Sequence, residues 1–251
     1  PMLKDLATKV FPAIDNGDAK TTFKPEDYEN NNFTFDFKLS ECENLCKFAH
    51  LPVSIIHPIG IKGHFSGVSQ TASLTVDAPY MLNGDKIIES TAVRASIDAD
   101  EDYASVYATT KMPTKKGPMV VVANLSGASD RIDNRIDWVI ERKIPINGSF
   151  NISTELFRDE DDGSLFTNII FNPGTINFGD DVWTIKPSSI GLADKRIDVD
   201  KFAMEAGGKS ILIDGTVSDS EDDRLTVDLK NIALLEIFET LEIDKALIGG
   251  S

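Results

Sequence analysis

The sequence predicts an all-β protein built on a long antiparallel sheet, and three observations predict it. Apolar and polar residues alternate with period 2 through most of the 251 residues. Turn signals separate the alternating runs at hairpin spacing. Helical spacing is confined to three short stretches, near residues 2–10, 40–49 and 231–241, so no strand–helix alternation of the doubly wound kind is present.

In chain order, the first helical stretch is weak. Phe35-Asp36-Phe37-Lys38 then reads as a strand, followed by a short helix with Ser40 at its N-cap position. A new strand opens at Ile59-Gly60-Ile61-Lys62-Gly63. From there alternation dominates, and the apolar side of each run is the candidate inner surface. The runs contribute Leu74 and Val76, Val93 and Ile97, and Val121 from Met119–Ala123. Ile136, Trp138 and Ile140 follow, then Phe150 and Ile152. Trp183 and Ile185, Ile197 and Val199, Ile211 and Ile213, and Leu225 and Val227 complete the set. Asn83-Gly84-Asp85, Lys116-Gly117-Pro118, Asp161-Asp162-Gly163, Phe178-Gly179-Asp180 and Gly207-Gly208-Lys209 mark turns. The mixed stretch Phe166–Phe171 is expected at an end of the sheet or in a contact between modules. The last helix opens at Asn231, with Ile232 and Leu235, and Leu234 and Phe238, at helical spacing.

About fourteen strands at a spacing of about 4.8 Å make a sheet on the order of 70 Å long. No long helix in the sequence covers its apolar face. Two architectures satisfy that face: a sheet curled lengthwise into a trough, or a sandwich closed by a second sheet. Alternation is the same in both.

Composition narrows the function. Hydrophobic residues make up 41% of the chain, enough to bury a sizeable surface. The net charge of −16 repels nucleic-acid phosphate, so no nucleic-acid partner is expected, and it repels anionic lipid headgroups equally. No apolar run approaches the roughly 18–20 residues of a membrane span, and Pro1-Met2-Leu3-Lys4-Asp5 lacks a signal-peptide pattern. Ile248-Gly249-Gly250-Ser251 reads as a break in mid-pattern. The expectation is a segment of a longer protein, with any anchor outside it.

The two strand–helix units repeat. Phe35-Asp36-Phe37-Lys38 aligns with Val227-Asp228-Leu229-Lys230, which sets Cys42 against Leu234, Leu45 against Ile237 and Cys46 against Phe238. The chain divides accordingly. Residues 1–32 are the end of a preceding module or a linker, 33–58 a strand-and-helix joint, 59–230 the main β module and 231–251 a second joint.

The joint, and the ordered elements after it, resemble TamB-like proteins of the AsmA superfamily. Thr175-Ile176-Asn177-Phe178-Gly179-Asp180-Asp181-Val182-Trp183-Thr184-Ile185-Lys186-Pro187 is similar to a strand pair of that family. Ile197–Phe202, Ile213–Ser218, Leu225–Ile232 and Ala78–Gly84 fit further elements in order and spacing. The resemblance runs from about residue 33 to the end. It implies a β-taco-like trough with short helices at module joints, in the periplasm of a Gram-negative cell, within a protein anchored in the inner membrane outside this segment. It implies phospholipid acyl chains as partners and passage of phospholipid toward the outer membrane. It further implies a link to outer-membrane protein assembly and its machinery. The alternative from another class is a structural or protein-binding β-sandwich module of an envelope protein, with a closed core.

Other constellations carry less. His50, His57 and His64 are spaced by seven, but Pro52, Pro58 and Gly60 break any single helix that would present them to zinc, and no metal site is expected. Asp98-Ala99-Asp100-Glu101-Asp102-Tyr103 lacks the sixth-position Gly of a calcium loop and reads as a solvated hairpin tip. Asp159–Asp162 and Asp219–Asp223 read the same way. Cys42 and Cys46 are read as packed thiols. No nucleophile elbow, phosphate loop or dinucleotide fingerprint is present, so neither an enzyme nor a cofactor is expected.

Overall fold

The computed structural model describes residues 2–15, 30–40, 54–144, 146–159, 163–178 and 181–232. The stretches expected to be helical near 40–49 and 231–241 fall almost wholly outside the described residues, as do Cys42, Cys46 and His50.

Alternation becomes strand wherever it was read. The first strands are β1 (Asn32–Leu39), β2 (Ser54–Ile55), β3 (Ile59–Ser66), β4 (Thr71–Asn83) and β5 (Lys86–Asp98). Then come β6 (Tyr103–Thr114), β7 (Gly117–Ala128), β8 (Arg131–Ile140), β9 (Ile146–Arg158) and β10 (Leu165–Phe178). The last are β11 (Asp181–Ile185), β12 (Ser188–Ala193), β13 (Arg196–Ala206), β14 (Lys209–Val217) and β15 (Leu225–Lys230). All fifteen belong to one sheet, in the order β1-β3-β4-β5-β6-β7-β8-β9-β10-β11-β13-β14-β15, with antiparallel neighbours. The expected all-β, single long antiparallel sheet is thus the fold.

Two strands are broken rather than separate. β2 and β3 both pair with β4, end to end across His57-Pro58. β11 and β12 both lie between β10 and β13, end to end across Lys186-Pro187. Proline has no N–H to give the ladder, so each Pro interrupts the pairing without leaving the sheet. The sheet therefore has thirteen strand positions, which at about 4.8 Å spacing span roughly 60 Å.

Turn chemistry follows the sequence. Gly84 turns β4 into β5 with φ +59°, and Gly207 and Gly208 turn β13 into β14 with φ +53° and +85°, the left-handed pair that glycine adopts without strain.

Three bulges keep the apolar residues on one side. The β5–β6 register shifts between Glu89 and Ala92, the β13–β14 register between Val199 and Phe202, and the β9–β10 register between Asn172 and Thr175. Ser90 and Lys201, at the first two, are left-handed. Each extra residue offsets a break in strict alternation, so Phe202 and Met204 continue the face of Ile197 and Val199. The stretch Phe166–Phe171, expected at an end of the sheet, lies instead in β10, an interior strand between β9 and β12. Ile169 and Phe171 fall on the candidate face, opposite Ile190 and Ile152, and Phe166 and Ile170 fall on the other face.

The one α-helix among the described residues, α1 (Met2–Val10), and a 3-10 turn at Pro12–Ile14 lie across the apolar face at one end of β3–β5, β7 and β9. Leu6 and Val10, one turn apart on one side of α1, are fully buried. Leu6 packs with Phe65 and Ala72, and with the half-buried Ile97 and Ala99. Polar ties fix the segment. The Ala13 N–H donates to Asp130 at 2.8 Å, and the Arg158 guanidinium donates twice to the Ala13 carbonyl, at 2.8 and 3.1 Å. Residues 2–15, read from sequence as preceding the main module, thus pack on it.

Candidate functional site

The pairing register decides which residues share a face, because directly opposed residues in an antiparallel ladder point the same way. One row runs Ile61–Val76–Val93–Ala108–Ala123–Ile136–Phe150. A second runs Gly63–Leu74–Ala95–Val106–Leu125–Asn134–Ile152–Phe171. Val121 is opposite Trp138, which is opposite Gly148, and Ile140 is opposite Ile146. Ile97 is opposite Ala72. Beyond β10, Ile176 is opposite Trp183, Gly174 opposite Ile185 and Ile185 opposite Met204. Ile190 is opposite Val199 and Leu192 opposite Ile197. Ile211 is opposite Leu229, Ile213 opposite Val227 and Gly215 opposite Leu225. The register therefore places every candidate named above on one face of one sheet.

That face is open over most of its length. Among the eighteen candidates only Ile185 is buried, while Leu74, Ile197, Leu225 and Val227 are exposed and the others half-buried. The pleat brings neighbours close in places. A Cβ on Gly148 would lie 2.9 Å from the Trp138 indole, so the glycine makes room for that ring. Phe171 meets Phe202 edge to face, with centroids 5.0 Å apart. At the far edge Phe33, Phe35 and Phe37 stack along β1, 5.0–6.4 Å apart. These phenylalanines, with Phe202 and Met204, extend the candidate surface. The first three were legible from alternation; the last two needed the bulge.

The opposite face is polar and organised by charge. Arg-Ile-Asp occurs at 131–133, 135–137 and 196–198. In each copy the Ile points to the apolar face and the guanidinium bonds the carboxylate two residues on, at 3.0, 2.9 and 2.8 Å. Arg131 also reaches Glu155 at 2.8 Å. A hydrogen bond from the Ser153 hydroxyl, and then the Arg131 guanidinium, hold the Asp133 carboxyl below the usual range. Arg135 does the same to Asp137, and Arg196 followed by the Thr216 hydroxyl to Asp198.

A depression of about 640 Å³ opens on this polar face, lined by β4 to β10 through Thr75, Arg94, Tyr107, Asn124, Arg135 and Asn151 among others. A second, of about 410 Å³, lies between Thr184, Glu205, Ser210 and Lys230. The polar side chains around both alternate with the candidates along the strands, and two candidates, Leu74 and Ile152, also border the first depression. A twisted sheet is a saddle, so each face is concave along one diagonal and convex along the other.

Among the described residues no cluster of His, Cys, Asp and Glu fits a metal ion. His57 packs on Tyr80, with ring centroids 5.1 Å apart, and His64 lies opposite Thr34 and Ser73 in the sheet. Among the described residues no helix is long and apolar enough to cross a membrane, which says nothing of strands.

Fold and site together define an all-β protein whose single open sheet has one apolar and one charged face. Comparison with protein-family models, with curated proteins and with solved structures finds no match to this chain.

Proposed function

We propose that the apolar face is a surface for phospholipid acyl chains, and that the chain serves as a non-enzymatic lipid-conducting segment of a bacterial envelope protein, of the TamB-like kind its sequence resembles. The observation that carries the reading is a continuous apolar face, thirteen strand positions long, of whose eighteen candidate residues only Ile185 is buried. Exposed apolar surface on this scale marks an interaction site. An acyl chain laid on it gains about 0.8 kcal/mol per buried methylene, on the order of 10 kcal/mol for sixteen carbons before entropy costs. A lining mainly of Val, Ile, Leu, Phe and Trp, with Asn134 among them and without buried charge, keeps that gain nearly constant from strand to strand, which favours sliding over storage. With a net charge of −16, zwitterionic headgroups suit the protein better than anionic ones. The reading places the segment in the periplasm, with outer-membrane assembly machinery as a further partner.

The alternative, a sandwich module with a closed core, needs a second layer. Among the described residues α1 and the 3-10 turn supply one at a single corner.

The test is site-specific photocrosslinking with labelled phosphatidylethanolamine vesicles. The crosslinker replaces Val76, Trp138 or Val199 in turn, with controls at Asp77 and Asp198 on the polar face. Lipid captured at the first three and not at the controls is the expected result. Lipid captured at none of them, in folded protein, removes the conduit reading.

A further inference from the structure

The two outermost strands carry one pattern. β1 reads Phe33-Thr34-Phe35-Asp36-Phe37-Lys38, and β15 reads Leu225-Thr226-Val227-Asp228-Leu229-Lys230. Thr, Asp and Lys are shared, each between apolar residues. The sheet order has thirteen positions with antiparallel steps between them, so the first and last strands run in the same direction. The shared apolar positions lie on the same face. Two parallel strands with the same face up present equivalent lateral edges, because the face of a side chain fixes the side to which its N–H points. The edge β1 turns toward β3 is therefore equivalent to the edge β15 leaves without a strand neighbour among the described residues.

What fills that edge at β1 is on view. β3 pairs antiparallel, with Lys62 opposite Asp36 and bonded to it at 3.0 Å. Ile61 lies opposite Phe37, and Gly63 opposite Phe35, leaving space for the ring. At β15 the matching Asp228 and Lys230 have no ion-pair partner among the described residues, and Leu225, Val227 and Leu229 are exposed. β15 contains no proline or bulge to interrupt pairing along that edge, and its charges, Asp228 and Lys230, match those that β1 carries beside β3.

We propose that the outer edge of β15, which has no strand neighbour among the described residues, is a strand-acceptor site. Its ligand is an extended, antiparallel segment of β3 chemistry, with a lysine opposite Asp228 flanked by an apolar residue and a glycine. Backbone hydrogen bonds supply the affinity, and the lysine sets the register. The inference is independent of the lipid reading, which concerns the face and not the edge.

The test uses a fluorescent synthetic peptide with the sequence of Ile59–Ser66, titrated into the whole chain and read by anisotropy. Saturable binding is expected, about tenfold weaker for the D228K variant and for a peptide carrying Glu in place of Lys62. The D228K variant and the Glu peptide together are expected to recover binding. Asp228 is exposed, and unchanged thermal unfolding of the variant confirms its fold. No binding at millimolar peptide, or binding indifferent to both charges, overturns the proposal. So does failure of the swapped pair to recover.

Discussion

Phe65 on β3 and Val227 on β15 occupy the same face of the same sheet and come from the same alternating pattern, yet Phe65 is 2% exposed and Val227 54% exposed. The difference is what lies above them. Leu6 of α1 covers Phe65 and Ala72, while β15 carries no covering element among the described residues. Alternation encodes the side of a sheet on which a residue falls. Burial depends on a second element, which the strand's own sequence does not specify.

The largest expected effect tests that contrast directly. Truncating Leu6 to Ala leaves a cavity under α1 and is expected to destabilise the protein by about 2–5 kcal/mol in denaturant titration. Val227→Ala removes side-chain atoms that already face solvent, and is expected to change stability by about 0.5 kcal/mol or less. Equal losses at the two positions mean that β15 is covered as fully as β3, and the comparison fails.

Two glycines sharpen it at smaller scale. A Cβ on Gly127 would overlap the Phe11 ring, which leads into the 3-10 turn over this corner. Gly127→Ala is expected to cost about 1–3 kcal/mol as the ring is pushed off the sheet. Gly191, in β12 on the polar face, has its nearest neighbour at 3.8 Å from an added Cβ. Gly191→Ala is expected to be neutral, or stabilising by about 0.5 kcal/mol through the unfolded chain. Paired melting curves check both. A loss at Gly191 as large as at Gly127 means that the polar face there is covered too.

Much of the fold was legible because period 2 is nearly strict here. The runs around Val93, Ile136 and Ile211 each set their apolar residues on one side, and the register gives those residues a common face. What failed was everything that breaks the period. Phe202 and Met204 fall on the face of Ile197 only because Lys201 bulges, and Asp200-Lys201 looks like any polar pair. Ile176 needs the bulge at Pro173-Gly174 in the same way. The packing of residues 2–15 was also hidden, since Leu6 and Val10 announce an apolar stripe but not its partner. The Arg-Ile-Asp repeats stand in plain view in the sequence, but a charged pair two residues apart becomes an ion pair only once the strand is assumed.

Those repeats give the smallest expected effect, and they separate the two faces by pH. The carboxyls of Asp133, Asp137 and Asp198 are held below their ordinary values by hydrogen bonds and neighbouring guanidinium groups. A carboxyl with a depressed folded value contributes stability that is fully present above its unfolded value, about 3.9. That contribution is lost as pH falls through the folded value. The polar face is therefore expected to loosen only below about pH 4, and weakly, because the pairs are solvent-screened. The buried contacts of Leu6 with Phe65 and Ala72 involve no carboxyl of this kind. In Asp198→Asn the stability deficit relative to wild type, measured by urea titration, is expected at pH 6 and to shrink toward pH 2. A deficit that stays constant across that range means the side chain acts through packing or its bond to the Thr216 hydroxyl, and not through its charge.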